Sequence, residues 1–212
     1  MIANHIHHAL AQVRELRQRI LEKQRFKGYS GRARALGGCM ALAAAIIMNL
    51  PSFPKTSFAH VVGWGVVFVL ALLLNYSALV YWFLADPEVQ RDWRKLKPAL
   101  EILPPLFVDA AFTFVLIRHD WHDYLFGMWM CLFGLANIAT RHMVPITIGW
   151  VGVFYIAAGT LLLLIPPSFL NSWPMGIVFF AGEWMGGFIL HFDGVMPSSW
   201  LTFFGKETND EP

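Results

Sequence analysis

Apolar residues come in six long runs separated by short polar stretches, at roughly 36–51, 60–84, 99–117, 123–140, 144–165 and 174–191. Most of these runs approach the ~20 residues an α-helix needs to cross the hydrocarbon of a bilayer, so the pattern predicts six transmembrane helices. Two runs are less regular: the first is short and ends in NLPSFP, and the third carries Pro104, Pro105 and Asp109. Ahead of them the period changes. Ile2, Ile6, Ala9, Val13, Leu16 and Ile20 recur at alternating spacings of four and three, which puts them on one stripe of a helix with Arg14, Arg17, Arg19, Lys23 and Arg25 mostly around it. That stripe, with Ile2, Ile6, Val13, Leu16 and Ile20 as its anchors, calls for a partner: a second copy, another protein, or the headgroups of a membrane. The stretch KGYSGRARALGG (27–38) reads as a hinge into the first span.

Composition and charge agree with the apolar runs. Hydrophobic residues make up 57% of the 212 and charged residues 14%, a balance that points to a membrane rather than to a soluble domain. With nine tryptophans and eighteen phenylalanines the chain is richer in aromatics than a soluble core of this size calls for, and Trp and Tyr at the ends of apolar runs suit the membrane interface. If the N-terminus is cytoplasmic, the basic residues from Arg14 to Arg34, the RDWRKLK loop, Arg141 and Lys206 all fall inside, leaving Lys55 and Arg118 outside. Fourteen of the sixteen basic residues then obey the positive-inside rule, and dropping either irregular span would invert the loops downstream and spoil that asymmetry. The expectation is an all-α integral membrane protein: a cytoplasmic amphipathic helix and basic hinge (1–34), a single six-transmembrane-helix bundle (35–192) and a short cytoplasmic tail (193–212), with both termini cytoplasmic. No apolar signal segment precedes the first span. Cys39 and Cys131, both inside apolar runs, are expected to be buried, inert thiols. Glycines in VVGWG, FGLANIA, IGWVGVFYIAAGT and AGEWMGG are expected where helices approach closely.

Ionisable groups in hydrocarbon are costly, so the sequence marks Asp109 in the third span and Glu183 in the sixth, both near mid-membrane, as the main chemical candidates. They read either as relay groups of a proton or cation pathway, or as carboxyls hydrogen-bonded to neighbouring helices through Asn75, Asn137, Tyr155 or a backbone carbonyl. Histidines are the second set. His142 and His191, at the cytoplasmic ends of the fourth and sixth spans, could ligate haem or a metal, against an ordinary interfacial role. RHDWHDYLF (118–126) places His119, Asp120, His122 and Asp123 together, with His60 at the start of the second span on the same outer side. Zinc-like ligation is weighed there against a solvated turn, with the turn preferred because no high-specificity metal pattern is present. The His-rich NHIHH near the N-terminus is read as the polar flank of the amphipathic stripe. Phosphate-cradling, nucleophile-elbow and metalloprotease motifs are all missing from the sequence, as is a basic DNA-reading module.

The order of segments is similar to that of a known layout. RFKGYSGRARALGGCMALAAA leads into a first span, a basic loop precedes ALEILPPLFVDAAFTFVLI, and GMWMCLFGLANIAT, PITIGWVGVFYIAAGTLLLL and MGIVFFAGEWMGGFILH follow. Over nearly its whole length the chain resembles an uncharacterised family of small bacterial six-span proteins, the likeness resting on Arg25-Phe26, Ser30-Gly31 and the later glycines. The resemblance implies genes that often neighbour a winged-helix transcriptional regulator, and hence a membrane partner in sensing or regulation. It brings no catalytic residue, and Asp109 and Glu183 are not part of its pattern. The functional expectation is a non-catalytic protein without a cofactor, acting as sensor, regulatory partner or accessory subunit through its N-terminal helix. Its partners would be the bilayer and either a second copy or a membrane or cytoplasmic protein, with no direct nucleic-acid contact. The alternatives are a small proton or cation transporter using Asp109 and Glu183 and a haem-binding electron-transfer subunit using His142 and His191.

Overall fold

The computed structural model describes residues 30–85, 103–140, 145 and 147–192, together with residue 12. The N-terminal stripe, the RDWRKLK loop, Arg141, His142 and the tail 193–212 lie outside the described residues. Within them the protein is all-helical, with no strand: α1 (Gly31–Asn49), α2 (Ser57–Ala85), α3 (Leu103–Arg118), a 3-10 turn (His122–Tyr124), α4 (Leu125–Ala139), α5 (Ile148–Leu164) and α6 (Trp173–Phe192). Each α-helix falls on one of the six apolar runs. Three of them, α1, α2 and α6, are long and apolar enough to cross a membrane, and α5 is a shorter apolar helix.

Local chemistry sets the ends. Ser30 caps α1, its Oγ accepting from the Ala33 amide at 3.2 Å, so the helix starts at Gly31 and the second half of the expected hinge is helical. At the other end of α1 Lys55 Nζ donates to the Met48 carbonyl at 2.9 Å, satisfying a C-terminal acceptor and setting a cation at the negative end of the helix dipole. Pro104 and Pro105 fall in the first turn of α3, where a missing amide proton costs nothing, and so start the helix rather than breaking it.

The described helices fall into two compact units: one holds residues 30–77 and 167–192, the other the described part of 78–166, and α2 contributes to both. In the first unit α1 and α6 pack antiparallel. Gly31 lies against Gly187, Gly38 against Glu183 and Phe180, and Ala45 against Gly176, so small residues seven apart on α1 meet α6 at every second turn. On α2, Gly63 lies under the Met48 sulfur of α1, whereas Gly65 faces open space. The second unit repeats the device. Gly127 and Gly134 of α4 face Gly159 and Gly152 of α5, and the spacing of seven on both helices is that of a left-handed antiparallel pair. Tyr155 is fully buried there and packs edge-on to Phe133, their ring centres 5.0 Å apart. The indole of Trp129 donates to Thr113 Oγ1 at 2.7 Å, tying α4 to α3.

Both cysteines are free thiols. Cys131 is half-buried against Gly159, but Cys39 is exposed, contrary to expectation, because it projects from α1 beside Trp184, whose indole N–H donates to its sulfur at 3.3 Å.

Candidate functional site

The most concentrated polar contact in the apolar interior is between α1 and α6. Arg34, on the first turn of α1, reaches across to Glu183: Nη2 donates to Oε1 at 3.1 Å, and Nε lies 3.0 Å from Oε2 in ion-pair contact but outside hydrogen-bond geometry, so the guanidinium faces both carboxylate oxygens as a fork with its hydrogen bond at Nη2. The side chains are 13% and 11% exposed. Glycine makes the approach possible. A β-carbon on Gly186 would stand 2.5 Å from Arg34 Nε, and one on Gly38 would stand 2.9 Å from the Glu183 β-carbon. The first turn of α1 holds no acidic residue, so Arg32 and Arg34 sit at the positive end of that helix with no local counter-charge. Glu183 supplies it from α6. The sequence marks Glu183 but places Arg34 among the cytoplasmic basic residues, and the 149 positions between them leave no local pattern from which to pair them.

Asp109 belongs to the other unit. It is half-buried on α3, one turn before Thr113, and its Oδ1 is buried without a hydrogen-bond partner among the described residues. The three asparagines of the spans satisfy themselves along their own helices: Asn49 donates to the Ala45 carbonyl, Asn75 to Ala71 and Asn137 to Phe133, at 2.7, 2.9 and 2.8 Å. Such bonds to the carbonyl four residues back pair each amide with its own helix backbone. Arg34 Nη2 is the donor to Glu183 Oε1.

His60 is not at a wet surface. It is fully buried on the first turn of α2, its Nδ1 3.0 Å from the Thr56 carbonyl and its ring edge-on to Phe53 at 5.2 Å and tilted against Phe169 at 6.2 Å. His191 is exposed at the end of α6, its ring edge-on to Phe192 at 4.9 Å. Among the described residues no three His, Cys, Asp or Glu side chains gather as a metal ligand set.

RHDWHDYLF is a structured turn. Asp120 has φ of 58°, and the Trp121 and Asp120 amides donate to the Leu116 and Ile117 carbonyls at 2.9 and 3.2 Å. These are the two bonds of a Schellman motif, with Asp120 in the left-handed position that usually falls to glycine. The chain then enters the 3-10 turn and α4, with the His119 ring tilted against Trp121 at 5.7 Å. Asp120→Gly is therefore expected to raise stability by about 0.5–1 kcal/mol and Asp120→Val to lower it, as read by thermal unfolding in detergent.

No protein-family model matches the sequence, and comparison with curated proteins and with solved structures likewise finds no match.

Proposed function

We propose that the chain is a non-catalytic six-span protein of the bacterial inner membrane that acts as a sensor, regulatory partner or accessory subunit, with the segment ahead of Ser30 as its coupling element. The observation that carries this reading is the Arg34–Glu183 fork. Arg34 stands four residues into α1, where the N-terminal segment enters the first span, and Glu183 stands in the middle of α6. A shift of α6 along or about its axis is passed by the fork to the start of α1, and so to whatever the N-terminal stripe binds. The resemblance to small six-span proteins encoded beside a winged-helix regulator fits the same role.

Deleting residues 1–27 tests it. Expected is loss of a co-purifying cytoplasmic partner with the helical content and melting of the remaining chain unchanged; an unaltered set of partners after the deletion counts against the proposal.

Transport is the second reading, and what favours it is the buried Oδ1 of Asp109, which has no hydrogen-bond partner among the described residues. Glu183 suits it less well, because a guanidinium already faces both of its oxygens. Asp109→Asn is expected to leave proton and monovalent-cation flux into liposomes at the background level of the wild type. A wild-type flux that this substitution abolishes replaces the regulatory reading with the transport one.

A further inference from the structure

We propose that one water molecule is held inside the first unit, where the ends of α1, α2 and α6 meet, between His60 Nε2 and Ser172 Oγ. Both side chains are fully buried, and neither atom has a hydrogen-bond partner among the described residues. A neighbour fixes the proton on His60. The Thr56 carbonyl can only accept, so Nδ1, 3.0 Å from it, carries the hydrogen and Nε2 is left as an acceptor.

Helix contacts put Ser172 at the same level. Ala45 and Met48 are neighbours three residues apart on α1; Gly176 of α6 lies against Ala45, and Gly63 of α2 under the Met48 sulfur. Ser172 stands one turn before Gly176, its carbonyl accepting from the Gly176 amide at 3.1 Å, and His60 stands one turn before Gly63. Both steps lead to the same end of the unit, because α6 runs antiparallel to α1 and Phe53, from the loop that follows α1, lies on the His60 ring. Phe169 closes the link. Its ring is 6.2 Å from that of His60, and the Asn171 amide donates back to the Ser168 carbonyl at 2.9 Å, so the chain turns between Phe169 and Ser172.

The chemistry of the two atoms names the occupant. A buried nitrogen acceptor calls for a donor, and the Ser172 hydroxyl does not bond it directly. Water can donate one hydrogen to Nε2 and meet Oγ with the other or with a lone pair, which is the usual office of a buried water between groups that lack a partner. A metal ion suits the place less well, since among the described residues no three His, Cys, Asp or Glu side chains gather as ligands. Held there, the water ties the start of α2 to the entry of α6, at the opposite end of α1 from the Arg34–Glu183 fork.

Nuclear magnetic resonance of the full chain in detergent micelles, with isotopically labelled histidine, tests the site. His60 is assigned through its ring contacts to Phe53 and Phe169. Expected are the Nδ1–H tautomer, an Overhauser contact from His60 Hδ2 to water with the sign of a long-lived bound molecule, and an Nε2 resonance shifted upfield of a bare acceptor. His191, exposed on α6, should show only the contact of bulk water. Ser172→Ala should abolish the long-lived contact and return Nε2 to the bare-acceptor position, with the tautomer unchanged. An Nε2–H tautomer overturns the proposal, and so does a wild-type ring with no long-lived water. If that dry ring still changes its Nε2 shift in Ser172→Ala, the hydroxyl bonds the imidazole directly and no water lies between. A water contact that survives Ser172→Ala overturns the pairing with Ser172. Tautomer and water contact are read on the wild type, and they decide the matter if Ser172→Ala does not fold.

Discussion

Glu183→Ala is expected to destabilise the α1–α6 pair by about 3–5 kcal/mol, because it removes the carboxylate that compensates the Arg34 guanidinium between two apolar helices. Both partners are nearly nine-tenths covered, so solvent screening offers little relief. Arg34→Lys should cost less, about 1.5–3 kcal/mol, since an ammonium keeps the charge but cannot fork across two oxygens. The informative variant is the double substitution Arg34→Met with Glu183→Leu. It removes both charges together, and replacing a buried ion pair by apolar groups of similar size is often neutral or stabilising. A double-mutant cycle by reversible unfolding in mixed micelles should therefore give a coupling energy of several kcal/mol, with the double variant close to the wild type. If each single variant lost less than about 0.5 kcal/mol, the fork would rank with ordinary surface pairs and the coupling role proposed for it would fall. A double variant that folds well but no longer retains a cytoplasmic partner would separate the signalling role of the fork from its structural one.

The six α-helices were legible because each lies on an apolar run, and three of them, α1, α2 and α6, are long and apolar enough to cross a membrane. Every α-helix overlaps its run, and Pro104 and Pro105, which made the third run look doubtful, turn out to occupy the first turn that tolerates them. Pairings across the chain were not legible. Glu183 could be marked as costly, but its partner is chosen by how α1 lies on α6, and a serine-glycine pair that reads as a hinge is the N-cap that brings Arg34 into the span. His60 stands at the start of its helix, where the sequence puts it, and what was not legible is its burial. A polar residue at the start of a span is ordinarily wet, yet Phe53 and Phe169 arrive from two loops and bury it. RHDWHDYLF drew notice for its metal ligands, whereas the structural information lay in which of its residues could accept a positive φ. One signal was present and unread: Gly127 with Gly134 and Gly152 with Gly159 are each seven apart, the spacing of a helix–helix seam.

That seam carries the second large effect. Gly134→Ala should destabilise the α4–α5 pair by about 1–3 kcal/mol, because the added β-carbon would stand 2.7 Å from the Gly152 carbonyl oxygen, and backbone cannot rotate aside as a long side chain can. Gly152→Ala meets the same obstacle from the other side, 2.7 Å from the Gly134 carbonyl oxygen. The two should add to less than their sum, since the helices, once parted by the first methyl, have room for the second. Gly65→Ala is the matched control. Nothing stands within 4 Å of its β-carbon position on α2, so only the conformational gain of alanine over glycine in a helix remains, about 0.5–1 kcal/mol of stabilisation. Opposite signs for one chemical change at two helical glycines cannot come from helix propensity, and isolate backbone approach as the cause. Equal effects at Gly65 and Gly134, measured by the same unfolding assay, would mean that α4 and α5 are not held at glycine distance, and the seam would have to be abandoned. Close packing at these four glycines joins α4 to α5, so its loss should also show as exchange of the α4 amides on lengthened incubation in deuterated buffer.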